Sequence, residues 1–166
     1  GGIITVDSAK GRGTTFELYL PASDAPVDVK PQPAKPLLEG EGTILVVDDE
    51  KMILEVGRQM IEKLGYKVLT AQTGQEALDV YIHFRDRVDL VILDMIMPDL
   101  SGGETYNRLK EFDPSVKVLL SSGYSIEGQA DEILERGCNG FIQKPFNISE
   151  LSLKIRRVLE AGHLKN

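Results

Sequence analysis

The chain has 166 residues, an apolar fraction of 42% and a net charge of −7, from 19 Lys+Arg against 26 Asp+Glu. That supports one core of ordinary size with something smaller attached. No run of Lys/Arg forms a basic stripe, which argues against direct binding of nucleic acid or of an anionic membrane. No apolar stretch approaches the roughly 18–20 residues of a membrane span, and the opening GGIITVDSAKGRG lacks the layout of a signal peptide. The lone Cys138 offers neither an intrachain disulfide nor a metal cluster. It reads as a small half-buried residue before a strand and fits a reducing, cytoplasmic setting.

In chain order, IITV and TTFELYL are β-branched or aromatic runs separated by DSAKGRG, whose glycines supply a turn, so residues 1–21 predict a β-hairpin. A hairpin alone is marginal in water and should belong to a larger sheet or dock onto something. Residues 22–42 follow as a Pro-rich, aperiodic tether. Residues 43–163 then alternate short apolar runs with amphipathic stretches. The runs Ile44–Asp48, Tyr66–Ala71, Asp89–Asp94, Val116–Ser122 and Gly140–Gln143 predict strands, several of them apolar on successive residues as doubly buried strands are. Helices are predicted at Lys51–Leu64, Gly74–Phe84, Gly102–Glu111, Ile126–Arg136 and Ser149–Glu160; in the first of them Met52, Leu54, Val56, Met60, Ile61 and Leu64 form the apolar stripe. The alternation implies an α/β domain with a doubly wound five-stranded parallel sheet covered on both faces by five helices, preceded by the extra hairpin.

In such sheets ligands bind at the carboxyl ends of the strands. There the sequence places Asp48-Asp49-Glu50, Asp94, Ser121-Ser122-Gly123 and Lys144-Pro145. Each has an ordinary explanation alone: Asp48 and Asp49 as helix caps, Asp94 as a turn residue before Pro98, Ser122 satisfying a loop amide, Lys144 as a solvated charge. Independent caps have no reason to converge on neighbouring strand ends. Three carboxylates within about 5 Å repel by roughly 3 kcal/mol per pair at an effective dielectric near 20, so a cation is needed. Oxygen-only ligands without His or Cys select a hard ion, Mg²⁺ (or Mn²⁺). Asp94 could then carry a covalent acyl phosphate, with Ser122 and Lys144 contacting phosphoryl oxygens.

These residues, in the motifs ILVVDDE, LVILDMIMPDLSGGE, VLLSSGYS and GFIQKPF, resemble the receiver domain of two-component response regulators, a flavodoxin-like fold of strand order 2-1-3-4-5. The resemblance implies that Asp94 is the phosphoacceptor, Asp49 a direct metal ligand, Asp48 its water-mediated neighbour and the carbonyl of Ile96 a further ligand. It implies that Ser122 is the switch hydroxyl, Phe141 the switch aromatic and Lys144 the lysine before a cis-capable Pro145. Phosphorylation would remodel the face near the fourth helix and fifth strand of the domain. The segment GGIITVDSAKGRGTTFELYLP is similar to the last hairpin of a histidine-kinase ATP-binding domain, so the order of parts resembles the end of a hybrid sensor histidine kinase. The nucleotide-binding and phosphodonor motifs of that kinase are not in this sequence, so ATP binding and autokinase activity are not expected of it. His83 and His163 read as structural or surface residues. The donor is then a phosphohistidine elsewhere in the parent chain or on a partner, and a histidine phosphotransfer protein and a homodimer are compatible partners. Ile96 and Tyr124 flank the phosphoryl site without offering a base, which predicts slow autodephosphorylation. A haloacid-dehalogenase-type phosphatase would want an acid where Ile96 stands, and a binding module without phosphotransfer would have lost some essential group; neither pattern fits.

Overall fold

The computed structural model describes residues 1–22, 37–123, 133–134 and 136–161. The chain divides into two compact units, Gly1–Pro33 and Ala34–Asn166. In the first, β1 (Ile3–Ala9) pairs antiparallel with β2 (Gly13–Tyr19) in the register Ile4↔Leu18 and Val6↔Phe16. Gly11 and Gly13 take positive φ in the connecting turn, where a side chain would be strained. Both faces of this hairpin are exposed, including Ile4, Val6, Phe16 and Leu18 on one of them.

The second unit is built on five parallel strands, β3 (Thr43–Val47), β4 (Lys67–Ala71), β5 (Leu90–Asp94), β6 (Val118–Ser122) and β7 (Gly140–Gln143), in the order β4-β3-β5-β6-β7. Relative to the first strand of this sheet that is 2-1-3-4-5, as the resemblance implied. The uninterrupted apolar runs of β3, β5 and β6 bury residues on both sheet faces. Leu45, Val47, Val91, Leu93 and Leu120 pack on one face with Leu78, Tyr106 and Leu109. Ile44, Val46, Leu90, Ile92 and Leu119 pack on the other with Leu54, Ile61, Leu151 and Ile155.

Four helices cover the sheet among the described residues: α1 (Lys51–Lys63), α2 (Gly74–Phe84), α3 (Gly102–Phe112) and α4 (Ile148–Glu160). The helix expected at Ile126–Arg136 lies largely outside the described residues; Ile133 and Leu134 are helical. Local chemistry fixes the starts of three helices. Thr73 caps α2 by accepting from the Glu76 N–H. Ser101–Glu104 and Asn147–Glu150 form reciprocal capping boxes on α3 and α4. α1 differs, because its N-cap Glu50 makes no side-chain cap and its first turn holds no acidic residue. Two assignments to the α1 stripe need correction. Leu54, Ile61 and Leu64 are buried, but Met52 is 78% and Val56 48% exposed. Positions 54, 57 and 61 face the sheet, and the other two fall about a quarter-turn or more away.

Candidate functional site

The strand ends and the loops that leave them bring the predicted residues to one edge of the sheet. β3 delivers Asp48, whose N–H still bonds to the Ala71 carbonyl at 3.2 Å, so its position is set by the ladder. β5 delivers Asp94 opposite Ser121 in the register with β6. The Lys144 N–H donates to the Ser122 carbonyl at 2.7 Å, which ties the residue after β7 to the end of β6. The Lys144–Pro145 bond is cis.

Carboxylate oxygens of Asp48, Asp49 and Asp94 all lie within 4.8 Å of one another. Asp48 and Asp94 are buried and Asp49 is exposed. Lys144 spans the two buried acids, donating to Asp48 Oδ2 at 2.5 Å and to Asp94 Oδ1 at 3.0 Å. The remaining Asp48 oxygen accepts the Glu50 N–H at 3.1 Å. The simple helix-cap reading of the acidic pair therefore does not describe α1. Asp48 braces the loop before the helix, and Asp49 stands free of any cap.

Burial pushes the Asp94 carboxyl above its ordinary range, and the nearby Asp48 charge adds to this, against the opposing pull of Lys144. An ion-paired carboxylate would ordinarily titrate low, so at Asp94 desolvation wins. For Lys144 burial is the largest single influence and acts downward. The hydrogen bonds and charges of Asp48 and Asp94 together outweigh it and hold the ammonium above its ordinary value. Three carboxylates facing one ammonium leave the site short of positive charge. Its hard oxygen donors suit a divalent cation such as Mg²⁺. The donor set thus fits the ion that the family implies.

The other predicted positions divide. Ser122 is buried at the end of β6, and Phe141 on β7 is packed inward with Leu120 and Val118. Ile96, two residues beyond Asp94, is 59% exposed at the rim. Tyr124 and His163 lie outside the described residues. His83 is exposed on α2, edge-on to Phe84. Cys138 is half-buried before β7, its thiol held high by burial and donating to the Val118 carbonyl at 3.2 Å.

Sequence reasoning missed an apolar groove of about 560 Å³ beside the acids, lined by Met52, Ile53, Val56, Met60, Pro145 and Phe146 and bordered by Lys144. The exposed methionine and valine of α1 were the signal. Their helical spacing alone assigns them to the core stripe of α1.

A model of the response regulator receiver domain matches residues 44–156. The sensor kinase CckA of Brucella abortus (strain 2308) is 33% identical over 169 residues, an alignment that takes in 96% of this chain and 18% of that kinase. This chain therefore spans under a fifth of that relative. A response regulator receiver domain protein from Clostridium thermocellum superposes with a TM-score of 0.71 at 31% identity, over 74% of this chain and 98% of that one. The response regulator TrrA of Thermotoga maritima, solved in complex with Mg(2+)-BeF, matches with a TM-score of 0.63 at 34% identity, over 71% and 99% of the two chains. With its strand order, acidic cluster and strand-end lysine, this chain belongs to the response regulator receiver family of two-component signalling.

Proposed function

We propose that this receiver serves a hybrid sensor histidine kinase and that Asp94 accepts a phosphoryl group from a phosphohistidine. The observation that carries the reading is the pairing of Lys144 with the buried Asp48 and Asp94 beside exposed Asp49, which sets a nucleophilic carboxylate among the groups a phosphate requires. One Asp94 oxygen attacks phosphorus as the P–N bond breaks; the imidazole nitrogen leaves with the electron pair and takes up a proton. Lys144 releases Asp94 and meets a phosphoryl oxygen, while the Ser122 hydroxyl donates to another. Asp48, Asp49, Asp94 and the Ile96 carbonyl would hold Mg²⁺ (or Mn²⁺), which supplies a Lewis acid that offsets charge on the phosphoryl oxygens. The Ser122 and Phe141 movement would then remodel the surface near β7.

Support for a kinase parent comes from the extent of the CckA alignment, which runs over 96% of this chain and so well beyond residues 44–156. On this reading residues 1–21 end the kinase's ATP-binding domain, 22–42 form the linker, 43–163 are the receiver, and all act on the cytoplasmic side. The groove along α1 gives the phosphohistidine donor an apolar footing next to Asp94.

The test uses a phosphohistidine protein labelled on its imidazole. Transfer to this chain should require Mg²⁺ and give an alkali-labile acyl phosphate. Met52→Asp should slow that transfer about tenfold, because it charges the groove, and leave labelling by acetyl phosphate unchanged. Metal-independent transfer, or equal loss with both donors, would contradict the reading.

A further inference from the structure

The loop that leaves Asp94 carries an acidic side chain with no place in the proposed chemistry. Asp99 lies three residues beyond Ile96 and sets its carboxylate against the start of α2, 25 positions back in the chain. A helix start leaves its first N–H groups without partners inside the helix. In α2 the Thr73 hydroxyl accepts the Glu76 N–H at 3.1 Å. The two N–H groups before it meet Asp99: that of Gly74 donates to Oδ1 at 3.4 Å and that of Gln75 to Oδ2 at 3.5 Å. Contacts of that length act chiefly as a negative charge at the positive end of the helix. The Leu100 N–H, and after it those of Gly74 and Gln75, hold the Asp99 carboxyl below its ordinary range.

Close packing joins the same parts. A Cβ at Gly74 would meet Thr105 Oγ1 at 2.3 Å and the Leu100 carbonyl oxygen at 2.9 Å, so α2 begins directly against the loop and the first turn of α3. The ends of the loop have ties of their own. The Met95 N–H donates to the Ser121 carbonyl at 3.0 Å, and the Gly102 N–H to the Met95 carbonyl at 3.1 Å. Capping alone needs no residue from another loop, as Thr73 and the capping boxes of α3 and α4 show. What Asp99 adds is a restraint on the segment between Met95 and Ser101.

We propose that Asp99 is a positioning residue for the metal site: by fastening the loop after Asp94 to the start of α2, it holds the Ile96 carbonyl in place for the cation. The role rests on the reading of that carbonyl as a metal ligand. Without the restraint the loop must be ordered when the cation binds, and binding weakens accordingly.

The test measures Mn²⁺ affinity by electron paramagnetic resonance in the wild type, Asp99→Ala, Asp99→Asn and Thr73→Ala, together with urea midpoints and the amide exchange of Gly74 and Gln75. Asp99→Ala should bind Mn²⁺ about fivefold more weakly, the worth of one hydrogen bond, and Asp99→Asn, which keeps one acceptor, should fall between it and the wild type. Both amides should exchange faster in Asp99→Ala. The Mg²⁺ concentration for half-maximal phosphorylation by acetyl phosphate should rise by the same factor as the Mn²⁺ dissociation constant. Thr73→Ala weakens the same helix start without releasing the loop, so it should lower the urea midpoint and keep Mn²⁺ affinity within about twofold. Wild-type Mn²⁺ affinity in a folded Asp99→Ala, or an equal loss in Thr73→Ala, would overturn the positioning role and leave the phosphoacceptor reading standing. If Asp99→Ala does not fold, Asp99→Asn decides by the same comparison. If the wild type binds no Mn²⁺, the metal reading and the role built on it both fall.

Discussion

At Asp94 a buried carboxylate is held near two others, and its behaviour without metal follows from that. Its pKa in the fold is raised, chiefly by burial, above the value in the unfolded chain. Between those two values the folded state binds more protons, so stability falls as pH rises through the window and the cost is fully present only above the folded value. Asp94→Asn removes the charge while keeping a partner for Lys144. It should stabilise the metal-free protein at pH 7, read as a higher midpoint in urea unfolding. The gain should shrink as pH drops below the folded pKa of Asp94, where the wild-type group is protonated too. A variant less stable than wild type at pH 7 would mean that the Lys144 contact outweighs desolvation. Ile96 is exposed at the rim and offers no group to orient a hydrolytic water. Ile96→Asn should therefore shorten the lifetime of phosphorylated Asp94, on the order of tenfold, without a change in stability, as read by the decay of label after donor removal. An unchanged decay rate would count against a role for this position.

The loop from Met95 to Ser101 is held between β5 and α3 by short-range chemistry. The Gly102 N–H donates to the Met95 carbonyl at 3.1 Å, and a Cβ at Gly102 would meet the Asp94 carbonyl oxygen at 2.3 Å. The Ser101 hydroxyl accepts the Glu104 N–H at 3.3 Å while the Glu104 carboxylate accepts from the Ser101 N–H at 3.2 Å. Ser101→Ala should cost about 1 kcal/mol in chemical denaturation, as other lost N-caps do; a change below about 0.3 kcal/mol would mean that the glycine packing alone holds the loop.

At this scale much was legible in the sequence. Strands buried on both faces announce themselves as apolar runs, and β3, β5 and β6 were readable for that reason. Strand starts were less so: Val116 is buried yet precedes β6, because burial continues into the loop after the ladder has ended. Met52 and Val56 misled because a helix next to a binding edge carries apolar residues on two faces, and composition does not tell the core face from the open one. Among site residues, Asp48, Asp94 and Lys144 were legible through their place at strand ends. The division of Lys144 between two acids and the isolation of Ser121 Oγ were not, since both depend on side-chain geometry across strands far apart in sequence.

At the scale of the molecule, the two units treat their apolar residues differently. The Ala34–Asn166 unit has apolar clusters on both faces of its sheet, whereas the hairpin leaves Ile4, Val6, Phe16 and Leu18 exposed. A two-stranded ribbon with such a face needs further structure against it, which agrees with its proposed origin in a larger kinase domain. In the receiver unit, the proposed function turns on Asp94. The deciding measurement is the intact mass of the protein after incubation with acetyl phosphate, with and without Mg²⁺, beside Asp94→Asn. A gain of one phosphoryl group that requires Mg²⁺ and vanishes in the variant is the predicted result. No gain under any condition, or a gain that persists in Asp94→Asn, would contradict the assignment of Asp94 as the phosphoacceptor.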